Sequence, residues 1–338
     1  PALVFGDVRG IEADSEGTIY VLDYQAAEIR TFDATGGYLQ TIAKRGEGPG
    51  ELTDANGIIL VGDSVLWVQD HGKMQMLALG KDGTELRRHP MHVMNYGYMW
   101  NGTVDDQGRF WKPAHHSTEP QRPFPPELGF QEETFRAYLV SFDPTTEVRD
   151  SVPLGTQTYR SHVSRNSRGG YTHSEVPFDP RTITVVDPGG GLWATSGSGY
   201  RIARLDEEGD TVLVLEADVP LPVVTNQDRA DYVAEAVAWD ETAARTAEEV
   251  AAAMPMTRPA ISGLSMDDAG NLWVRRGGTE DRLPRYDLFS RSGEYRGSVA
   301  LDFTPSRYLH LKLRDGKLYA LVLGDMDVPL VVRATVSY

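Results

Sequence analysis

Acids, histidines and arginines recur in this chain directly behind short apolar runs. Asp23-Tyr24 follows Ile19-Tyr-Val-Leu22, Asp70-His71 follows Val65-Leu-Trp-Val-Gln69, and Arg275-Arg276 follows Leu272-Trp-Val274. His115-His116 stands behind Phe110-Trp111 and Asp325 behind Leu318-Tyr-Ala-Leu-Val322, while Arg160 and His162 sit in a stretch without clear period. Imidazole suits zinc, iron or copper, so His71, His115 and His116 are the candidate ligands of a divalent metal. The plainer reading, and the preferred one, makes them solvated loop histidines with no cofactor. Arg275 and Arg276 could clamp a carboxylate through paired N–H donors, or simply neutralise nearby acids.

Other chemistries find less support. No Gly-x-Ser-x-Gly elbow exists, since Ser196-Gly-Ser-Gly199 lacks the preceding glycine and a strand-to-helix turn. The backbone N–H groups of Gly46-Glu-Gly-Pro-Gly50 could cradle an anion. No Lys-Ser/Thr completes a phosphate loop, so a rigid linker is the simpler reading. The absence of cysteine excludes disulfides and thiolate metal sites. A net charge of −16 disfavours nucleic acid and anionic membrane surfaces as partners. No apolar run reaches the roughly 18 residues of a transmembrane segment.

The elements that carry these residues follow from a repeat. An apolar strand, a turn rich in Asp and Gly, and a strand bearing an aromatic recur six times. The copies are Asp14-Ser-Glu-Gly-Thr-Ile-Tyr20, Gly62-Asp-Ser-Val-Leu-Trp67, Asp105-Asp-Gln-Gly-Arg-Phe-Trp111, Asp187-Pro-Gly-Gly-Gly-Leu-Trp193, Asp267-Asp-Ala-Gly-Asn-Leu-Trp273 and Arg314-Asp-Gly-Lys-Leu-Tyr319. Their aromatics lie 47, 44, 82, 80 and 46 residues apart. Three steps match a four-stranded propeller blade of roughly 40 to 50 residues, and the two long ones imply insertions. The aromatics share one position in the unit, so they read as core between sheets rather than as a sugar-stacking array.

The sequence therefore predicts an all-β fold: one six-bladed β-propeller of four-stranded antiparallel blades. The blades fall at 10–52, 53–93, 95–155, 182–219, 260–304 and 305–338. The last has three strands, and a strand within 1–6 (Ala2-Leu-Val-Phe5) is expected to close it beside Pro329-Leu-Val-Val-Arg-Ala334. Proline density makes 113–134 a loop within blade three, and 156–181 an irregular joint between blades three and four. A helical insertion is expected over 220–259 between blades four and five, with Thr225 and Asp228 as its cap and Asp240 capping a second helix.

Two motifs carry a resemblance. Ile11-Glu-Ala-Asp-Ser-Glu-Gly-Thr-Ile-Tyr-Val-Leu-Asp23 resembles an NHL-type repeat, and Arg45-Gly-Glu-Gly-Pro-Gly-Glu-Leu52 resembles the Gly-x-Gly-Pro-Gly-Glu signature of bacterial 6-bladed beta-propeller proteins. The resemblance, which extends to TolB-like relatives, implies a propeller often secreted or lipid-anchored, hence an extracytoplasmic location. No leader is visible, and the chain opens within an apparent strand, as either a mature protein without its leader or a trimmed chain would. The wider clan holds lactonase- and lyase-type enzymes as well as binding modules, so fold leaves function open. In gluconolactonase-type relatives an early Glu ligates metal; Glu12 falls in the right blade, but its context is that of a plain repeat strand.

On this reading the candidate residues collect on one face around the central tunnel. The preferred function is a non-enzymatic binding propeller for a small molecule, glycan or protein. One alternative is a metal-assisted hydrolase or lyase, lactonase-like, at the tunnel mouth. The other is a structural subunit of a homo-oligomer.

Overall fold

Four of the six repeated turns are held by their own aspartate. Asp14 Oδ1 accepts the backbone N–H groups of Glu16 and Thr18, and Asp14 Oδ2 accepts the Tyr20 hydroxyl at 3.1 Å. Asp105 repeats this with Gln107 N, Arg109 N and Trp111 Nε1, and Asp267 with Asn271 N and Trp273 Nε1. Gly17 supplies the positive φ of 86° that the reversal needs. Spacing between Asp and aromatic is thus a hydrogen-bond requirement, and each turn delivers an antiparallel pair of strands. Trp193 departs from the rule: its indole N–H has no partner in the protein, and Asp187 is engaged by Arg204 and Arg291 instead.

The computed structural model describes residues 4–90, 102–118, 124–166, 168–278, 283–306 and 309–336. Six antiparallel sheets follow one another along the chain. The first holds β1 (Val8–Ala13), β2 (Ile19–Asp23), β3 (Glu28–Phe32) and β4 (Tyr38–Ala43), and the second β5 (Ala55–Val61), β6 (Val65–Asp70), β7 (Gln75–Gly80) and β8 (Glu85–Pro90). The third holds β9 (Thr103–Val104), β10 (Phe110–Ser117), β11 (Gly129–Phe142), β12 (Arg149–Arg165) and β13 (Tyr171–Glu175). The fourth is β14 (Ile183–Val186), β15 (Leu192–Thr195), β16 (Tyr200–Leu205) and β17 (Thr211–Ala217). The fifth is β18 (Ile261–Met266), β19 (Leu272–Arg276), β20 (Arg285–Phe289) and β21 (Tyr295–Ala300), and the sixth β22 (Lys312–Arg314), β23 (Lys317–Leu323) and β24 (Pro329–Thr335).

Apolar side chains join each sheet to the next around a circle. Leu22 and Ile29 pack with Leu66 and Leu77; Trp67 and Met76 with Phe110 and Phe142; Trp111 and Leu139 with Val186 and Leu192. Trp193 and Ile202 pack with Leu264 and Val274, Trp273 and Leu288 with Leu313 and Leu318, and Tyr319 and Leu321 return to Val21 and Phe32. All six repeat aromatics lie in these seams, none more than 6% exposed. That is the arrangement of a six-bladed propeller, with the first strand of every blade innermost.

Three expectations need correction. The closing strand is not found: Ala2 and Leu3 lie outside the described residues, and Val4 and Phe5 are not in a strand. The Val4 carbonyl instead accepts from Arg30 Nη1, Gly6 N donates to Asp23, and Phe5 packs edge-on against Phe32 in the seam that also holds Val331. Closure among the described residues is by side chains, not by a ladder. Second, the flanks of the proline-rich stretch are strand, 113–117 within β10 and 129–134 within β11, while 119–123 lie outside the described residues. Pro113 lies inside β10 opposite Leu139, and β10 and β11 pair from Phe110–Phe142 to Ser117–Phe135. Proline removes only its own N–H, which this register tolerates. Third, 156–181 is no loose joint: β12 runs 17 residues and takes β13 along its far side. Together these strands form a ribbon that prolongs blade three.

Between β17 and β18 the chain forms α1 (Asn226–Trp239) and α2 (Ala244–Ala252). Thr225 and Asp228 exchange side-chain and backbone bonds in a capping box, and Asp240 accepts from Thr242 N at 2.9 Å. Ala251 and Met254 pack with Val176 and Val224, which seats the pair beside the ribbon.

Candidate functional site

The structure disperses most of the sequence candidates and uses several as scaffold. Asp23 accepts from Gly6 N, Asp7 N, Ala26 N and Arg30 Nη2, all within 3.0–3.3 Å. Asp70 accepts from Thr53 N, Thr53 Oγ1 and Asp54 N. Both are almost fully buried, and each ties the chain entering its blade to the end of the second strand. Tyr24 lies under the Arg9 guanidinium at 3.2 Å, and its hydrogen bond to Asp54 raises its pKa. His71 is exposed; its N–H donates to the Asp54 carbonyl and its own carbonyl accepts from Met74 N. Asp54 therefore joins the two loops.

The Gly-x-Gly-Pro-Gly-Glu loop holds its own anions. Gly48 N donates to Glu51 at 2.8 Å and Gly50 N to Glu85 at 2.7 Å. A Cβ on Gly46 would push the Glu51 carboxylate out of its present place. The cradle expected for a bound anion is thus filled from within, and the linker reading is the one this geometry supports.

Arg276 is committed as well. Its Nε and Nη2 donate to Asp287 at 2.9 and 2.8 Å, and Asp287 also accepts from the Tyr200 and Ser298 hydroxyls. Burial pushes the Asp287 carboxyl upward, but these donors together hold it below the ordinary carboxylate range. Arg275 pairs in β19 with Gly263 and Tyr286, and Asp325 is exposed in the turn between β23 and β24.

His115 and His116 are successive residues of β10 and so point to opposite faces of the ribbon. His115 meets Phe135 edge-on at 5.1 Å, and His116 meets Tyr138 at 6.0 Å. They cannot converge on one ion. Among the described residues no group of three or more His, Asp or Glu could hold a metal.

What the ribbon does assemble is a cleft of about 450 Å³. Register places Glu133 opposite Tyr159 and Ser161 opposite Glu175, so these share one face with Phe135 and His115. His173 of β13 and Arg181, just before blade four, complete the wall. Phe135 and Tyr159 stand 5.5 Å apart at 65°, and burial raises the Tyr159 phenol. Arg181 pairs with Glu175 at 2.6 Å and lies 6.0 Å from the Tyr159 ring.

Arg160 and His162 stand on the ribbon's other face. Arg160 binds Asp179 through two nitrogens and the Ala253 carbonyl at 2.9 Å, while His162 Nε2 meets Glu249 of α2 at 2.8 Å. The helix pair thus backs the ribbon whose front carries the cleft. Of the predicted residues only His115 lines it. Glu133, Phe135, Tyr159, His173, Glu175 and Arg181 were missed, although the Thr, Tyr and Val enrichment of 156–163 was the strand signal to be read.

A second space, about 490 Å³, is the tunnel between the innermost strands. Glu12 and Lys312 form an ion pair of 2.6 Å there, and burial raises the Glu12 carboxyl against the pull of Lys312. An ammonium group already occupies the place a cation would take. His310 lines the tunnel with its side chain exposed to the lumen, and the surrounding protein lowers its pKa.

Residues 3–111 match the DUF5128 family, described as a 6-bladed beta-propeller. No curated protein matches the chain. A member of the DUF4221 family from Bacteroides vulgatus superposes with a TM-score of 0.53 at 9% identity, over 99% of this chain and 94% of that one. Virginiamycin B lyase from Staphylococcus aureus gives 0.40 at 12% identity, over 100% and 86% of the two chains. A gluconolactonase from Xanthomonas campestris gives 0.44 at 12%, over 94% and 83%. The chain is similar to bacterial six-bladed propellers, and at these identities the likeness concerns fold alone.

Proposed function

We propose that this chain is a binding propeller, extracytoplasmic and without catalytic activity of its own, whose ligand sits in the cleft on the blade-three ribbon. The observation that carries the reading is the cleft itself. It has the volume of a small-molecule site, two aromatic walls, and donors and acceptors of both signs on strands stiffened from behind by helices. The residues that an enzyme at the tunnel mouth would need are engaged elsewhere: Arg276 by Asp287, Glu12 by Lys312, and the two histidines on opposite faces.

A thermal-shift screen against small polar molecules and glycans tests this. A ligand present at 100 times its Kd stabilises the folded chain by about 2.7 kcal/mol. Compounds that raise Tm in the wild type should lose the effect in Tyr159→Ala and in Arg181→Ala. Hits that shift both variants as much as the wild type would place the ligand elsewhere and overturn the reading. Cell fractionation with an antibody tests the location, and recovery with cytoplasmic markers counts against it.

A further inference from the structure

Resting on that reading, we infer that the ligand is an extended polypeptide segment, laid as an added strand along β13 with one apolar side chain in the cleft. The backbone of β13 is the first reason. Val176 N donates to the Arg160 carbonyl, and the register of β12 with β13 is unbroken from Ser161–Glu175 to Arg165–Tyr171. Bonded and non-bonded pairs alternate in an antiparallel ladder. Tyr171, His173 and Glu175 therefore turn their N–H and C=O groups away from β12, along the outer edge of the sheet and about 7 Å apart. These groups have no partner among the described residues. A donor and an acceptor at every second residue match a second extended backbone, and a glycan or a compact small molecule has no such repeat.

The other outer strands are guarded. β4, β8, β17 and β21 each carry a register break against the third strand of their blade, and β24 begins with Pro329, which has no N–H to offer. β13 has neither device, and Thr172, His173 and Glu175 are exposed. It also borders the cleft. Glu175 lies opposite Ser161, so Tyr171, His173 and Glu175 share a face with Ser161 and Tyr159. A residue paired with His173 or Glu175 projects its side chain onto that face, beside the wall of Phe135 and Tyr159. Charge sets the other end. Arg165 stands over the Tyr171 ring at 5.5 Å with no carboxylate partner among the described residues, and Tyr171 meets the exposed Phe124 edge-on at 5.9 Å. The segment that fits is apolar at the cleft and acidic beside Arg165.

Fluorescence anisotropy on the full chain tests the inference, with a labelled set of blocked hexapeptides that carry Phe, Leu or Val at alternate positions, Thr between them and Glu at one end or the other. Members of the set should bind. N-methylation of one alternate set of amides, which keeps every side chain, should weaken a bound peptide about tenfold, while methylation of the other set leaves it unchanged. His173→Pro removes an outward N–H that no ladder bond uses, so it should weaken binding likewise with the urea midpoint held. Tyr159→Ala should weaken the Phe and Leu peptides several-fold, and Arg165→Glu should reverse the preference for Glu over Lys at the end. His71→Ala should change nothing. Equal effects from the two methylated sets would overturn the added strand. Silence from every peptide would overturn it too, and thermal-shift hits lost in Tyr159→Ala would then show the cleft reading standing without it. Peptide binding that survives both His173→Pro and Tyr159→Ala would overturn both.

Discussion

Blade one and blade three begin from the same turn and end as different objects. In blade one every polar side chain singled out from the sequence is turned inward, as with Asp23 and its four donors, or stacked, as with Tyr24 under Arg9. In blade three the added length goes into strands that leave the ring, and Glu133, Tyr159, His173 and Arg181 line open space. Fidelity to the repeat marks scaffold, and departure from it marks the surface on which the proposed binding reading rests. A conspicuous acid at a blade end is therefore a poor guide to function in this fold, since the ring itself needs it.

The sharpest way to break that contrast is to remove a carboxylate from each region. Asp23→Ala takes one of several acceptors from Arg30 and leaves three N–H groups without theirs in a buried place, and should cost about 3 kcal/mol in urea unfolding. Glu175→Gln, which breaks only an exposed pair with Arg181, should change stability by no more than about 1 kcal/mol. Equal losses would erase the distinction. Thr225→Ala removes the α1 cap and should cost about 1 kcal/mol, seen as faster hydrogen exchange in α1 and α2 with the blades unaffected. Exchange rising throughout the ring would show that the helix pair belongs to the scaffold.

A smaller gain is expected in blade two. Met74 holds a left-handed φ of 51° and is 44% exposed, so Met74→Gly should stabilise by about 0.5–1 kcal/mol in the same urea assay. A loss would mean that its side chain packs more than its exposure suggests. The subtlest effect concerns His89, whose Nε2 is buried without a partner near Trp67 and Phe142. Burial depresses its pKa, helped by Arg87, from the ordinary 6.5. Above that pH the imidazole is neutral folded or unfolded and contributes nothing. Below it the unfolded chain takes the proton first, so stability falls with pH until the folded pKa is passed. His89→Phe should flatten the urea midpoint between pH 7 and 5, and an unchanged slope would assign it to other groups.

The ring was legible because its determinants are local. Asp14 and Tyr20, or Asp267 and Trp273, are six residues apart and held by one turn, so the spacing shows in the chain itself. Strands β2 and β3 could be read to the residue for the same reason. The ribbon was not legible, since its pairings join distant residues such as Gly129 with Val163, and Pro113 and Gly155 argued locally against strand. The cleft was hidden with it. Which face Tyr159 occupies depends on the register shift between Ala137 and Tyr138, and one residue of slip would have sent it to the helices.

Five of the six apolar seams join stretches that follow one another along the backbone. The sixth brings Val21 and Phe32 to Tyr319 and Leu321, across nearly the full contour of the polypeptide. Tethering points so far apart carries the largest entropic toll of any contact in the molecule. That junction should therefore be the last to set as the protein matures and the first to gape under load. Moving the termini by circular permutation to another inter-blade boundary would carry this weak place around with them.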